Sequence, residues 1–389
     1  MSSKPSVVVA LSGGVDSAVA ALLLRDRGHE VQCVHMTNWE DDGYCNAARD
    51  FQDARRVCRE LGVPLHRVNF TREYSERVFA QFLAELERGL TPNPDVLCNR
   101  EIKFGVLRSW ARRLGGELLA TGHYARLGRN GDETQLLKAR DANKDQTYFL
   151  HAVDGADFGD VLFPLGDLVK NEVRELARNA RLPVAEKKDS TGICFIGERP
   201  FSAFLKRYLP MSPGPISTPD GEQLGEHDGL AFYTLGQRHG LGIGGVRGHD
   251  EKPWYVAEKR HDRNELVVVQ DHDHRRLAHD YVSATNVHWI NSAPSALRSG
   301  GKLRCAAKTR YRQADQACTV SDAGNSRVDV EFDEPGRAIT PGQYIVFYDG
   351  ERCLGGATIH AAERRPQQRR DATALASGAS DSPAGHLAT

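Results

Sequence analysis

The string Ser12-Gly13-Gly14-Val15-Asp16-Ser17, set directly behind the apolar run Val7-Val8-Val9-Ala10-Leu11, constrains this chain more than any other feature. The apolar run reads as a buried strand. The glycines form a loop whose backbone can approach a ligand closely, and Val15 opens a helix. The first turn of that helix offers free N–H groups and a positive dipole end, a setting suited to a polyphosphate. Ser12 and Ser17 can donate hydroxyl hydrogen bonds, whereas Asp16 suits a hard cation such as Mg2+. Neither G-x-x-x-x-G-K-[ST] nor G-x-G-x-x-G occurs here, so the loop is a different phosphate cradle, one fit for MgATP.

A chain of 389 residues exceeds one typical domain, so two or three are expected. A net charge of −1 neither argues for nor excludes a nucleic-acid partner. The N-terminus lacks a secretory pattern and no stretch approaches membrane-spanning length, so a cytoplasmic protein without a membrane partner is expected. The eight cysteines include no C-x-x-C, which disfavours a structural zinc site and a secreted disulfide framework and leaves reactive thiols.

Helix-like spacing at 15–27, 46–61, 74–88 and 102–114 alternates with strand-like runs at 31–36, 65–70 and 118–120. Such βα alternation predicts an α/β domain with a parallel, Rossmann-type sheet and a ligand site at the carboxyl ends of its strands. A Pro/Gly-rich stretch at 210–215 marks a boundary, beyond which helical periodicity fades. Runs at 254–259 and 265–270 predict a hairpin; those at 302–312, 317–321, 327–332 and 343–348 predict an all-β module, a small barrel. The division expected is a catalytic domain at 1–208, a mainly β central domain at 209–275, a β-barrel at 276–365 and a disordered tail at 366–389.

Two cysteine-bearing strings sharpen the picture. Residues 91–104, TPNPDVLCNREIKF, form a proline-stiffened loop delivering Asp95 and Cys98 just before a helix, whose dipole favours a thiolate. Residues 187–195, KKDSTGICF, place Cys194 after lysines that would stabilise a thiolate or persulfide. His272 and His274 lack a nearby third ligand and read as a solvated turn.

The opening loop resembles the PP-loop of N-type ATP pyrophosphatases. With PNPDVLCN from Pro92, ATGHY from Ala120, KDQTYFL from Lys144, DSTGICFIGER from Asp189, YTLGQRHGLGIGG from Tyr233 and KTRYRQ from Lys308, the chain resembles the bacterial tRNA-specific 2-thiouridylases. Ala18 departs from the family, which usually places serine there. The tail after Ala362 carries no matching string.

The resemblance implies a PP-loop α/β domain, a small central domain and a C-terminal β-barrel that binds tRNA. It implies ATP-dependent adenylation of the wobble uridine's C2 oxygen and sulfur transfer from a Cys194 persulfide, giving 2-thiouridine, AMP and pyrophosphate. Cys98 is implied as second nucleophile, forming a disulfide with Cys194, and Asp95 as general acid, base or orienting group. Ala10, Leu11, Ser12, Gly13, Gly14, Val15, Asp16, Ser17, Met36 and Gly122 resemble ATP contacts. Asn93, Pro94 and Asp95 resemble contacts to the target uridine, and His123, Lys144, Asp145, Gln146, Arg310, Tyr311 and Gln343 resemble tRNA-contacting positions. Implied partners are glutamate, glutamine and lysine tRNAs and a sulfur-carrier protein or cysteine desulfurase; Mg2+, held by Asp16, is the implied metal. Three alternatives stay open: an iron–sulfur cluster on Asp95, Cys98 and Cys194, an ATP-dependent amide synthetase, and a protein that only binds nucleotide or RNA.

Overall fold

The apolar run at the N-terminus forms the central strand of a parallel sheet in a computed structural model that describes residues 4–40, 47–189, 201–244 and 248–365. In chain order the first strands are β1 (Val7–Ala10), β2 (Val31–Thr37), β3 (Leu65–Asn69), β4 (Leu118–Ala120), β5 (Arg126–Asn130), β6 (Glu133–Leu137) and β7 (Val161–Leu162). Five of them, among the described residues, form a parallel sheet in the order β3-β2-β1-β4-β7. β1 is apolar throughout because both its faces are covered. Val7 and Val9 pack with Val19 and Leu22 of α1 (Val15–Asp26) and with Val57 of α2 (Ala47–Leu61), while Val8 joins Phe104 and Leu107 on the other side.

The expected βα alternation is present, with two boundaries moved. The helix expected from 74 begins earlier, running through Thr71–Tyr74, Ser75–Phe79 and Ala80–Glu87. The helix expected over 102–114 begins at Pro94 and runs through Pro94–Leu97, the π-helical Cys98–Leu107 and Arg108–Arg113. Pro94 occupies the first helical position, where its missing N–H costs nothing, and the side chain of Asn93 accepts the N–H of Asp95 at 3.2 Å. Asp95 and Cys98 therefore sit inside this helix, not on a loop ahead of it.

The second half is β-rich. β8 (Gly214–Ser217), β9 (Gln223–His227), β10 (Trp254–Arg260) and β11 (Glu265–Gln270) form a sheet in the order β10-β11-β8-β9, and β10 and β11 are the expected antiparallel hairpin. β12 (Ala278–Trp289), β13 (Lys302–Lys308), β14 (Gln316–Gly324), β15 (Arg327–Arg337), β16 (Tyr344–Asp349) and β17 (Arg352–Glu363) follow. They pair in that circle, β12-β15-β14-β13-β16-β17, and β17 returns to β12, closing a barrel of six strands among the described residues. Closure removes the exposed edges. The strand expected to reach 312 stops at Lys308, because the Gln313 side chain accepts hydrogen bonds from the Thr309 and Arg310 N–H groups and closes a turn.

One element was not expected from the sequence. The β5–β6 hairpin leaves the N-terminal domain and adds to the barrel, Arg352 and Cys353 of β17 pairing with Leu137 and Leu136 of β6. The two domains thus share one sheet. The expected disordered tail at 366–389 lies outside the described residues.

Candidate active site

Gly13 adopts φ +84, and a Cβ there would lie 2.3 Å from the Asp50 carbonyl oxygen, so only glycine fits this turn. The loop is closed by its own hydroxyls: the Ser12 N–H donates to Ser17 Oγ at 3.1 Å, and Ser17 Oγ donates to the Gly14 carbonyl at 3.1 Å. Gly14 is the N-cap of α1 and has no side chain to cap it, which leaves the first-turn N–H groups facing the loop. Gly122, just past β4, lies flat on this turn; a Cβ there would come within 2.7 Å of the Ser17 nitrogen. Met36, near the end of β2, is half-buried against the core.

Asp16 is not isolated. Lys170, first residue of the helix Lys170–Asn179, reaches both its carboxylate oxygens at 2.7 and 2.8 Å, and the Tyr124 hydroxyl donates to it at 2.8 Å. Burial, then the Asp16 charge, push the Tyr124 phenol well above its ordinary range, so it stays a donor. Lys170 also pairs with Asp189 at 2.8 Å; Asp189 is gripped in turn by Lys144 at 2.6 Å and Arg174 at 2.9 Å. Burial raises the Asp189 carboxyl, but the bonds from Lys144 and Lys170 outweigh it and hold it at about 2. Lys187, one of the two lysines ahead of Cys194 in the sequence, donates to the Gly13 carbonyl at 2.9 Å, to Asp50 at 2.7 Å and to Asp53 at 2.6 Å. Periodicity carries no signal for any of these pairings, since the partners are far apart in sequence.

The Cys98 helix meets this loop through residues 121–124. Lys103 approaches His123 Nε2 at 3.3 Å, and His123 Nδ1 lies 2.7 Å from Thr121 Oγ1. Burial, seconded by Lys103, holds the imidazole well below its usual value, so it is neutral. Its Nε2 accepts from the ammonium and its Nδ1–H donates to Thr121. Burial raises the Asp95 carboxyl, with Lys103 opposing. Cys98 is 2% exposed, and Cys194 lies outside the described residues.

Of the positions expected to contact tRNA, some brace the N-terminal domain and others link it to the barrel. The Gln146 side chain accepts the Tyr124 N–H at 2.9 Å, and Asp145 accepts from the Ala139 N–H and the Thr147 hydroxyl. Gln343 donates to the Thr91 carbonyl at 2.6 Å, while the Thr91 N–H donates to Pro341 at 3.0 Å, so the barrel grips the segment just before Asn93. Tyr311 packs on Phe149 at 4.5 Å between centroids. Arg310, a position resembling tRNA contacts, is half-buried. It turns inward to the Leu235 and Ala338 carbonyls at 2.9 and 2.6 Å, because the turn at Gln313 directs it to the central domain. His272 is exposed beside Asp273, and His274 caps the Arg276 N–H. Among the described residues no group of three His, Cys, Asp or Glu side chains could hold a metal, and no helix is long and apolar enough to cross a membrane.

Residues 5–198 match the family model described as tRNA methyl transferase HUP domain, 202–270 the tRNA methyl transferase PRC-barrel domain, and 279–359 the aminomethyltransferase beta-barrel domain. A tRNA-specific 2-thiouridylase MnmA from Hahella chejuensis is 54% identical over 91% of this chain and 97% of its own length. The protein of the same name from Methylococcus capsulatus is 55% identical over 92% and 96%. A solved 4-thiouridine synthetase–RNA complex with bound ATP aligns at 20% identity with a TM-score of 0.33, covering 52% of this chain and 49% of that one. With three matching domains in order and more than half its residues shared along nearly its whole length, the chain belongs to the tRNA-specific 2-thiouridylase family of sulfurtransferase enzymes.

Proposed function

We propose that this protein thiolates C2 of the wobble uridine in tRNA, activating the C2 oxygen with ATP. One observation carries the reading: residues 122–124 touch both halves of the chemistry, Gly122 and Tyr124 on the phosphate loop and His123 on Lys103 of the Cys98 helix. The C2 oxygen attacks the α-phosphorus of ATP and pyrophosphate leaves, so that a poor leaving group becomes AMP. Sulfur from a Cys194 persulfide then bonds to C2 as the C–O bond breaks and AMP departs. Cys98 supplies the second thiol: its attack on the inner sulfur of the persulfide releases the outer one and leaves a Cys98–Cys194 disulfide, which an external thiol reduces. In the direct variant the persulfide sulfur itself attacks C2 and Cys98 resolves the resulting link.

Asp95 exchanges a proton with the base, a role supported by its raised carboxyl at the start of the helix, and Asn93 and Pro94 shape the surface the base docks on. Ala10 to Ser17, with Met36 and Gly122, hold the nucleotide. Asp16 fits Mg2+, since a carboxylate in the first turn beside a phosphate cradle supplies one of the few protein oxygens this ion takes; the ion would neutralise phosphate charge. Lys144, Tyr311 and Gln343 organise the tRNA-facing side, with His123, Asp145, Gln146 and Arg310 fixing the scaffold behind them. The persulfide comes from a carrier protein or cysteine desulfurase.

The test is mass spectrometry of nucleosides from unmodified glutamate, glutamine and lysine tRNAs after incubation with protein, MgATP and sulfide, which bypasses the carrier. ATP-dependent 2-thiouridine at the wobble position is the expected result. ATP split to AMP and pyrophosphate without thiolation would point to an amide-forming acceptor, and binding without cleavage to a nucleotide-binding role. Labile-sulfide and iron analysis of anaerobically purified protein tests the cluster variant.

A further inference from the structure

The arrangement around Lys170 has a feature that loop binding alone does not require. Its side chain is only 12% exposed, and its ammonium bridges two carboxylates from distant parts of the chain, Asp16 in the first turn of α1 and Asp189. The two carboxylates are not equivalent. Asp16 is held by Lys170 through both oxygens and, besides it, by the neutral Tyr124 hydroxyl. Asp189 has two further cations, Lys144 at 2.6 Å and Arg174 at 2.9 Å. If Lys170 lets go of Asp189, that carboxylate keeps Lys144 and Arg174; if it lets go of Asp16, that carboxylate keeps only the neutral Tyr124 hydroxyl until a metal ion arrives with the nucleotide. The cheap exchange is therefore at Asp189.

We propose that Lys170 is a ligand of the nucleotide's β- and γ-phosphates, exchanging Asp189 for a phosphate oxygen while keeping one oxygen of Asp16 and leaving the other to Mg2+, and that Asp189 is the residue positioning it. The proposal rests on the reading of residues 12–17 as the ATP site. Lysine suits the role as a compact charge with three donors on a flexible stem, able to keep one partner while changing another. Lys187 cannot substitute, since its donors go to Gly13, Asp50 and Asp53.

Titration calorimetry of the full chain with MgATP and, separately, with AMP decides it. Wild-type protein that binds no MgATP would sink the ATP-site reading itself. Given binding, Lys170→Met should weaken ATP by about tenfold or more and AMP by less than about twofold, as expected for loss of one charge-assisted contact, with Lys170→Arg recovering part of the loss. Asp189→Asn should act in the opposite direction, tightening ATP by about threefold by removing the competitor. That gain should vanish in the Lys170→Met, Asp189→Asn double variant. Equal weakening of ATP and AMP by Lys170→Met would make the lysine a structural prop and overturn the proposal. So would unchanged ATP affinity, or an Asp189→Asn gain that persists without Lys170.

Discussion

At single residues, the site is governed by what will not fit and by what will not ionise. Gly13→Ala would force a positive φ on a side chain and drive its Cβ into the Asp50 carbonyl. It should cost at least about 2 kcal/mol in urea unfolding and abolish MgATP binding. Gly122→Ala, at an ordinary φ but 2.7 Å from the Ser17 nitrogen, should lose nucleotide affinity with a smaller stability loss. Asp95 gives a pH test. Burial holds its carboxyl above the ordinary value of about 3.9, so the native chain keeps the proton to higher pH than the unfolded chain does. That contribution is full below the unfolded value and is lost as pH rises through the native one. The stability difference between wild type and Asp95→Asn should therefore move against the wild type as pH rises from about 4, and a flat difference would show that the carboxyl is not buried as described.

At the level of elements, the helix begun by Asn93 and Pro94 decides where Asp95 and Cys98 sit. Removing its cap with Asn93→Ala should cost about 1 kcal/mol of stability and lower turnover by more than that loss of fold accounts for, measured by urea unfolding beside single-turnover thiolation. Its early start was encoded in the sequence as a cap followed by proline, but the prolines at 92 and 94 also spell a loop, and local sequence cannot arbitrate. Packing does: Val96, Leu97 and Cys98 are all buried, and helical geometry lets their backbone satisfy itself there. The π-helical stretch from Cys98 to Leu107 had no local signal either. The strands of the second half, by contrast, were legible from short alternating runs, because each needs only one apolar face.

Across the whole molecule, the shared sheet and the grip of the barrel on Thr91 make the N-terminal domain and barrel one mechanical unit. Calorimetry should accordingly show them unfolding in one transition, and two well-separated transitions would contradict the coupling. His151 lies at this junction, against Tyr344 at 4.9 Å and beneath Gly356. Burial lowers its imidazole from 6.5 to about 4, partly opposed by the Tyr148 carbonyl. The sign is opposite to that of Asp95: stability is full above about 6.5 and falls as acid protonates the unfolded chain first, by on the order of 3 kcal/mol by pH 4. Urea unfolding of wild type and His151→Asn across that range should show the slope only in the wild type. Sequence by itself determined the glycine loop at 12–17, the parallel α/β domain, the two cysteine-bearing strings and the β-rich second half, because each is written in residues adjacent along the chain. Only tertiary structure decided that Lys170, Asp189 and Lys187 surround the loop, that Arg310 turns inward, and that β6 pairs with the start of β17. Those contacts join residues tens to hundreds of positions apart, and their free energy comes from burial and charge pairing that exist only once the domains have packed.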